Sequence, residues 1–456
     1  MNDWLEAEQR VERAQQLSES ARWEEALAEI DAALEINPNN ALWHAHRGCI
    51  LDELDRWEDA VEAYGTALNL EPADRDVAVA YGLGLCRLER FGQALEVFEE
   101  LTRLNPDFEP AYCHRIGIYG ELGRHDQAEQ MFYLAQELDA SCPNCFFNMG
   151  VSLAARGQFD RAIYCWQRVL ELEPEFIGVH ARIAQAHRAQ GKADLAKEFY
   201  LRELREDPGN TDLLYELAEL TLESGDIEMA AAKFAQIVEL DPTHAESHFA
   251  LGKIMALRGD ARRALACFEA AASAAGGAGE AALSAFDWEM AKALARLGRF
   301  AEASERLGAA IEKDAENIDA LTLLGDCRFS LNKPADAADA FRRVLAIDVQ
   351  NPYAHHRLGV CLFRQGRYTA GVEHCLQAIQ AKPDHVQAML AAVVGYLFLG
   401  RWREARSMLR RALRLDPANP HLLHLKKRFW RYRARRLVHK LVSPFIRVFR
   451  PGALPR

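Results

Sequence analysis

The chain has 456 residues, enough at roughly 100–200 residues per domain for two to four globular units or one long repeat array. With 55 Lys and Arg against 67 Asp and Glu, a net charge of -12, and half its residues hydrophobic, it has the composition of a folded soluble protein, which excludes wholesale disorder and a collagen-like chain. A membrane span is not expected either: the longest nearly unbroken apolar run, Met389 to Gly400, has 12 residues where about 20 are needed. The first segment, MNDWLEAEQRVERAQQ, has no apolar signal core, so the expected location is the cytoplasm. Ten cysteines, mostly inside helical patterns, fit a reducing compartment in which Cys acts as a small buried hydrophobe.

Prolines mark a period along the chain. Pro38, Pro72 and Pro106 are 34 residues apart, Pro174, Pro208 and Pro242 continue the ladder, and Pro383 and Pro417 are again 34 apart. Ala140, Gly276, Ala315 and Val349 fill the missing rungs, and one step, from Gly276 to Ala315, is 39. Twelve units therefore run from residue 7 to residue 419 with a five-residue insertion. With the ladder residue at position 32, position 8 is Gly or Ala in ten units, and position 20 is Ala in eleven and Gly371 in the other. Eight units have Gly at position 15, and seven have an aromatic residue at position 17. Small residues at 8 and 20 let two antiparallel helices approach to near the ~8 Å end of the packing range. Gly at 15 punctuates the first helix and allows the turn, and Pro at 32 ends the second.

These spacings predict an all-α fold of stacked helix-turn-helix units. Twelve of them in register resemble the tetratricopeptide repeat family over residues 7–419. The resemblance implies a right-handed superhelical solenoid with a C-terminal helical cap, its first helices lining a concave groove that takes peptides or protein partners. It implies no cofactor. The organisation expected is an eight-repeat array at 7–278, a Gly/Ala-rich insertion and possible hinge at 279–283, a four-repeat array at 284–419, and a basic amphipathic helix and tail at 420–456.

In chain order, the first two units lack the Lys and Asn carboxylate clamp of the family's chaperone-binding members, offering Val11, Gln15, Ala45 and Cys49 instead. The fourth unit is irregular, with Ile116 at position 8 and Ala140 on the ladder. Cys142-Pro-Asn-Cys145 follows. Structural zinc usually needs four Cys or His ligands, and the register places no second Cys-x-x-Cys beside this one. A helix N-terminus at Pro143 would favour a thiolate, but no thioredoxin-like pattern surrounds it, so capping and core packing are the expected roles. His44, His180, His248 and His355 share position 4, a framework position. The three glycines Gly276, Gly277 and Gly279 interrupt an alanine helix and read as a lengthened loop or a hinge.

Carrying the family's groove positions onto the later units singles out Phe249 and Lys253, Trp288 and Lys292, Asp326, His356 with Arg357, and Phe363. Aromatic anchors beside charge are what binding hot spots are made of. Trp288 has an equal reading as a core residue displaced in register, because Asp287 stands where an aromatic is expected. No nucleophile triad, phosphate loop or metalloprotease helix emerges, and the repeats leave no room for a catalytic domain. A non-enzymatic scaffold or adaptor is expected.

The tail departs from the rest. From Pro417 to Arg456 there are 11 Lys and Arg and no acidic residue, whereas residues 1–416 hold 44 basic and 67 acidic residues, a net of -23. The candidate contacts are Lys426, Lys427, Arg428, Trp430, Arg431, Arg433, Arg435, Arg436 and Lys440, with Leu423, Trp430, Ala434, Leu437 and Leu441 at helical spacing. Its first turns suit a terminal cap. Beyond the cap, residues 420–449 could meet an anionic membrane or fold back on the acidic array. Nucleic acid is disfavoured by the negative body; the alternative functions are a peripheral membrane adaptor tethered through this helix and a regulatory subunit of a nucleic-acid-associated complex. In the twelfth unit Leu390, Val394, Leu397 and Phe398 form an apolar patch that something is expected to cover.

Overall fold

The structure, a computed structural model, describes residues 2–276 and 280–435. Among these residues there are 25 α-helices and no strand, an all-α helical-repeat solenoid of twelve helix pairs, α1 to α24, followed by a terminal helix α25 (Pro420–Arg435). The second helix of every pair occupies positions 17–30 of its unit, from Trp23–Ile36 in the first to Trp402–Leu415 in the last. The helices fall into two units, residues 1–213 and 214–456. In the first, apolar clusters run from Ala7 to Val77 and from Val61 to Ala186; in the second, one cluster runs from Ala264 to Phe429.

Close approach of the paired helices follows from their small residues. Ala at position 20 is wholly buried in all eleven units that carry it. At position 8, five glycines face an aromatic ring at position 24 of the partner helix: Gly48 and Tyr64, Gly82 and Phe98, Gly150 and Trp166, Gly252 and Phe268, Gly325 and Phe341. A Cβ on any of them would stand 2.4–2.6 Å from the ring, well inside van der Waals contact. The side chain removed from one helix is the space the ring fills on the other.

The turn between the helices has one conformation throughout. Position 15 is left-handed in all twelve units: the eight glycines expected there have φ of 68–85°, and Ala21, Asp55, Glu89 and Asn332 adopt φ of 54–59° in the other four. The Gly157 amide donates to Ala154 and the Gln158 amide to Leu153, the paired bonds of a Schellman cap. Ala, Asp and Glu therefore hold a conformation that costs an L-residue about 1–2 kcal/mol relative to right-handed helix.

Proline at position 32 is not what stops the second helix, since that helix ends at position 30 whether or not the ladder proline is present. In three of the units without it, an aspartate at position 31 accepts from the amide two residues on: Asp139 from Ser141 (2.8 Å), Asp314 from Glu316 (3.3 Å) and Asp348 from Gln350 (3.2 Å). These are Asx turns, another way to make the same bend. The insertion also differs from the loop expected. Residues 280–283, Glu-Ala-Ala-Leu, are good helix formers and make the first turn of α17 (Glu280–Arg296), while Gly277 and Gly279 lie outside the described residues.

Substitution at these glycines has a sign set by position. Gly150→Ala should lower the stability of the first unit by about 1–3 kcal/mol through overpacking against Trp166. Gly308→Ala, at a helical site with nothing within 4 Å, should raise it in the second by about 1 kcal/mol. Glu89→Gly should also stabilise, by about 1 kcal/mol, by relieving the left-handed turn. Urea melts of the three variants check all three signs.

Candidate functional site

On the first helices of the second unit, aromatic and basic side chains pair at positions 5 and 9. In α15 (Ala245–Leu257) the Lys253 ammonium stands 4.8 Å from the Phe249 ring centroid, and in α17 the Lys292 ammonium stands 5.1 Å from Trp288. Both rings are half-buried and pack against the apolar cluster, Phe249 meeting Phe268 and Phe286 at 5.6 and 5.1 Å between centroids. Lys253 is exposed, and Lys292 also bonds Glu289 at 2.7 Å. Trp288 therefore serves the core and keeps an accessible edge with a cation over it. Asp287 is accounted for by a 2.9 Å bond from Arg306.

Asp326 and Arg357 are brought together as partners of each other. Arg357, on α21 (Pro352–Arg364), donates from Nε to Asp326 Oδ1 at 2.7 Å, and the Tyr353 hydroxyl donates to Asp326 Oδ2 at 2.6 Å. The guanidinium also lies 4.8 Å from the Phe329 ring centroid. With side chains 13% and 22% exposed, this pair fastens α21 to α19 (Ile318–Ser330) and has little free charge to offer a ligand.

Of two further expected contacts, His356 lies inside the fold and Phe363 is half-buried. His356 is buried beside His385, with ring centroids 5.1 Å apart, and its Nε2 has no hydrogen-bond partner. Phe363 fills the notch left by Gly371 and Gly395, where a Cβ would come within 2.5 and 2.7 Å of its ring. For Phe363 it is the missing side chains of two glycines that make the room. The apolar residues of α23 (Val386–Phe398) are likewise internal, with Leu390, Val394 and Leu397 at most 6% exposed, so no open patch remains there.

Sequence reasoning missed two clefts in the first unit, each lined largely by second helices. One, of about 380 Å³, lies among α8 (His125–Leu138), α9 (Pro143–Ala155) and α10 (Phe159–Leu172) and is lined by Phe132, Phe146, Met149 and the well-exposed Tyr133 and Tyr164. The other, of about 370 Å³, includes Leu68, Tyr81, Leu85 and Val97. Tyrosines on the second helices, Tyr133 and Tyr164, were the available signal for the first of them.

A thiol cluster was also only half visible. Cys142 caps α9, its Sγ accepting from the Cys145 amide at 3.3 Å. Glu109 and Cys113, one helical turn apart on α7 (Glu109–Glu121), complete a group of four donor atoms that all lie within 4.8 Å of one another. The Cys145 thiol donates to Glu109 Oε1 at 2.8 Å. The Cys113 thiol first, with the Cys145 amide, holds Cys142 below the ordinary thiol range, and burial pushes the Glu109 carboxyl up to about 7. The partners that the Cys-x-x-Cys spacing lacked come from a Glu and a lone Cys in the preceding repeat.

Helix α25 buries Leu422, Leu425 and Phe429, with Phe429 set edge-on to Trp402 of α24 (Trp402–Leu415) at 6.4 Å. The apolar stripe is therefore one residue out of phase with the one read from Leu423. Lys426 and Lys427 are exposed. Of Arg428, Trp430, Arg431, Arg433 and Arg435 only the backbone is described, and Arg436, Leu437, Lys440 and Leu441 lie outside the described residues. Among the described residues no helix is long and apolar enough to cross a membrane.

Matches to the tetratricopeptide repeat family cover residues 47–107, 111–142, 143–176, 215–284, 289–386 and 362–429. The chain belongs to the tetratricopeptide repeat family. No curated protein matches it. Solved structures similar to it include the APC/C hetero-tetramer Cut9-Hcn1 (15% identity, 91% of this chain and 95% of that one, TM-score 0.40). Others are a tetratricopeptide repeat protein from Parabacteroides merdae ATCC 43184 (18%, 55% and 99%, 0.48) and Naa15/Naa10 bound to HypK-THB (14%, 98% and 93%, 0.39). The tetratricopeptide repeat is in general a non-catalytic fold for binding proteins and peptides, and its first helices are where this chain carries the Phe249–Lys253 and Trp288–Lys292 pairs.

Burial makes one histidine a pH-dependent liability of this tetratricopeptide repeat protein. Burial, then the nearby His385 and Arg357, push His356 down to about 3 from an unfolded value near 6.5. The neutral form is the folded form, so its contribution is complete above pH 6.5 and is lost as pH falls below it, by up to about 1.4 kcal/mol per pH unit. His374 and His385 are lowered too, mainly by burial, and add to the slope. Urea melts between pH 7 and 5 should show this fall, and His356→Leu should make it shallower without abolishing it.

Proposed function

We propose that the chain is a non-enzymatic scaffold or adaptor that binds a protein or peptide partner on the first-helix face of its second unit. The observation that carries this reading is the aromatic-lysine pairing repeated in consecutive repeats, Phe249 with Lys253 and Trp288 with Lys292. A half-buried ring held rigidly by the core loses little entropy on binding, and an ammonium beside it selects an anionic or carbonyl-rich segment. The partner that fits is an extended peptide bearing acidic residues. Asp326 and Arg357 support that surface from within, and His356 and Phe363 set its packing.

Membrane tethering through α25 is the weaker reading. Leu422, Leu425 and Phe429 are already committed to the apolar cluster of the second unit, so this part of the helix has no free apolar face to insert. Residues 420–429 act as the polar-faced cap that a repeat array requires.

Affinity capture with the full chain, followed by mass spectrometry, tests the assignment. Lys253→Glu combined with Lys292→Glu should reduce the bound partners by about tenfold or more, a loss of the size that hot-spot pairs give. Lys426→Glu with Lys427→Glu should leave them bound. Partners retained by the first variant and lost from the second would move function to the C-terminal helix.

A further inference from the structure

We propose that Glu109, Cys113, Cys142 and Cys145 form a zinc(II) site that braces the fourth repeat against the fifth. Four donor atoms, three sulfurs and one carboxylate oxygen, converge from two helices with every pair within 4.8 Å. A tetrahedral zinc with Zn–S bonds of about 2.3 Å needs sulfurs about 3.8 Å apart, so closure asks for side-chain movements of about 1 Å or less. Both ligand pairs have spacings that present donors to one point. Cys142 and Cys145 flank the N-terminus of α9, and Glu109 and Cys113 stand one helical turn apart on α7.

The surroundings favour metal over apolar packing. All three cysteines are buried and free, and the half-buried Glu109 carboxylate is turned onto them, where a carboxylate needs a polar or cationic partner. Three thiolates and a carboxylate around a dication leave two surplus negative charges. The Cys145 amide directed at Cys142 Sγ (3.3 Å) and the N-terminus of α9 offset part of that charge, and the Asn148 amide group lies 3.7 Å from Cys113 Sγ while bonding the Cys113 carbonyl at 3.1 Å. Such outer-shell donors orient ligands. Sulfur-rich four-donor chemistry excludes calcium and magnesium, which take six or more oxygens, and suits zinc.

Location gives the site its use. Here the ladder proline is replaced by Ala140 and the small residue at position 8 by Ile116, so the repeat framework is at its least regular. A metal ligated from both helices would fasten the junction, and because the thiol protons leave as zinc binds, the bond tightens as pH rises.

The test uses the full chain purified under reducing conditions without chelator. Metal analysis should find about one zinc per chain, and the metal-free chain titrated with cobalt(II) should develop the intense visible bands of a tetrahedral thiolate complex. Cys113→Ser and Glu109→Gln should each weaken zinc binding by about tenfold or more, whereas Cys49→Ser, at an exposed site elsewhere, should not. Glu109→Gln is only half-buried and keeps the comparison valid if the cysteine variant fails to fold. Absence of zinc and cobalt uptake by the reduced chain, uptake unchanged in Glu109→Gln, or a Cys142–Cys145 disulfide in place of metal would each overturn the assignment.

Discussion

The contact on which the rest depends is a ring seated on a missing side chain. In five of the six units with glycine at position 8, the aromatic at position 24 occupies the space its Cβ would need, and alanine at position 20 is wholly enclosed in the same pair. This approach fixes the spacing of the two helices. It also makes each unit too thin to cover its own apolar faces, so neighbouring repeats must share a core, as the clusters running across several units show. The period of 34 is the length of chain needed to go up one such helix, turn, come down the next and turn again.

Most of the fold was legible because its signals are steric and local. Gly at position 15 announced a left-handed turn, and all twelve units make it. Four do so with Ala, Asp, Glu or Asn, which no composition rule requires, because the flanking helices impose the turn on whichever residue is there. Proline at position 32 was a marker of the helix end and not its cause, since the second helix ends at position 30 in every unit, with the proline or without it. The extra residues at 280–283 followed their own helix propensity into α17.

The site was less legible, for reasons of volume and distance. Register placed Phe249, Lys253, Trp288 and Lys292 on the first helices and side by side. It could not show that Gly371 and Gly395 open a notch against which Phe363 packs, or that His356 is turned against His385. Nor could it connect Cys142 and Cys145 with Glu109 and Cys113, since that set joins two repeats with residues that form no recognised spacing. Repeats make each position predictable from its equivalents, and chemistry that occurs once in twelve units is what they hide.

Position 4 shows how successive repeats hold their register along the stack. His44 meets the Pro38 carbonyl at 2.8 Å, His248 the Pro242 carbonyl at 3.1 Å, His355 the Val349 carbonyl at 2.9 Å, and Tyr112 donates to Pro106 at 3.0 Å. Each is a polar latch from one unit to the ladder residue of the unit before, open to any side chain that can present a donor at that reach. The unit after the insertion has Asp287 there, an acceptor occupied by Arg306 of its own pair. That unit lacks the latch, and across the insertion Arg296 instead donates to the Ala256 carbonyl at 2.8 Å. Length variation along such an array is thus expected to collect at the joints that lack the position 4 latch.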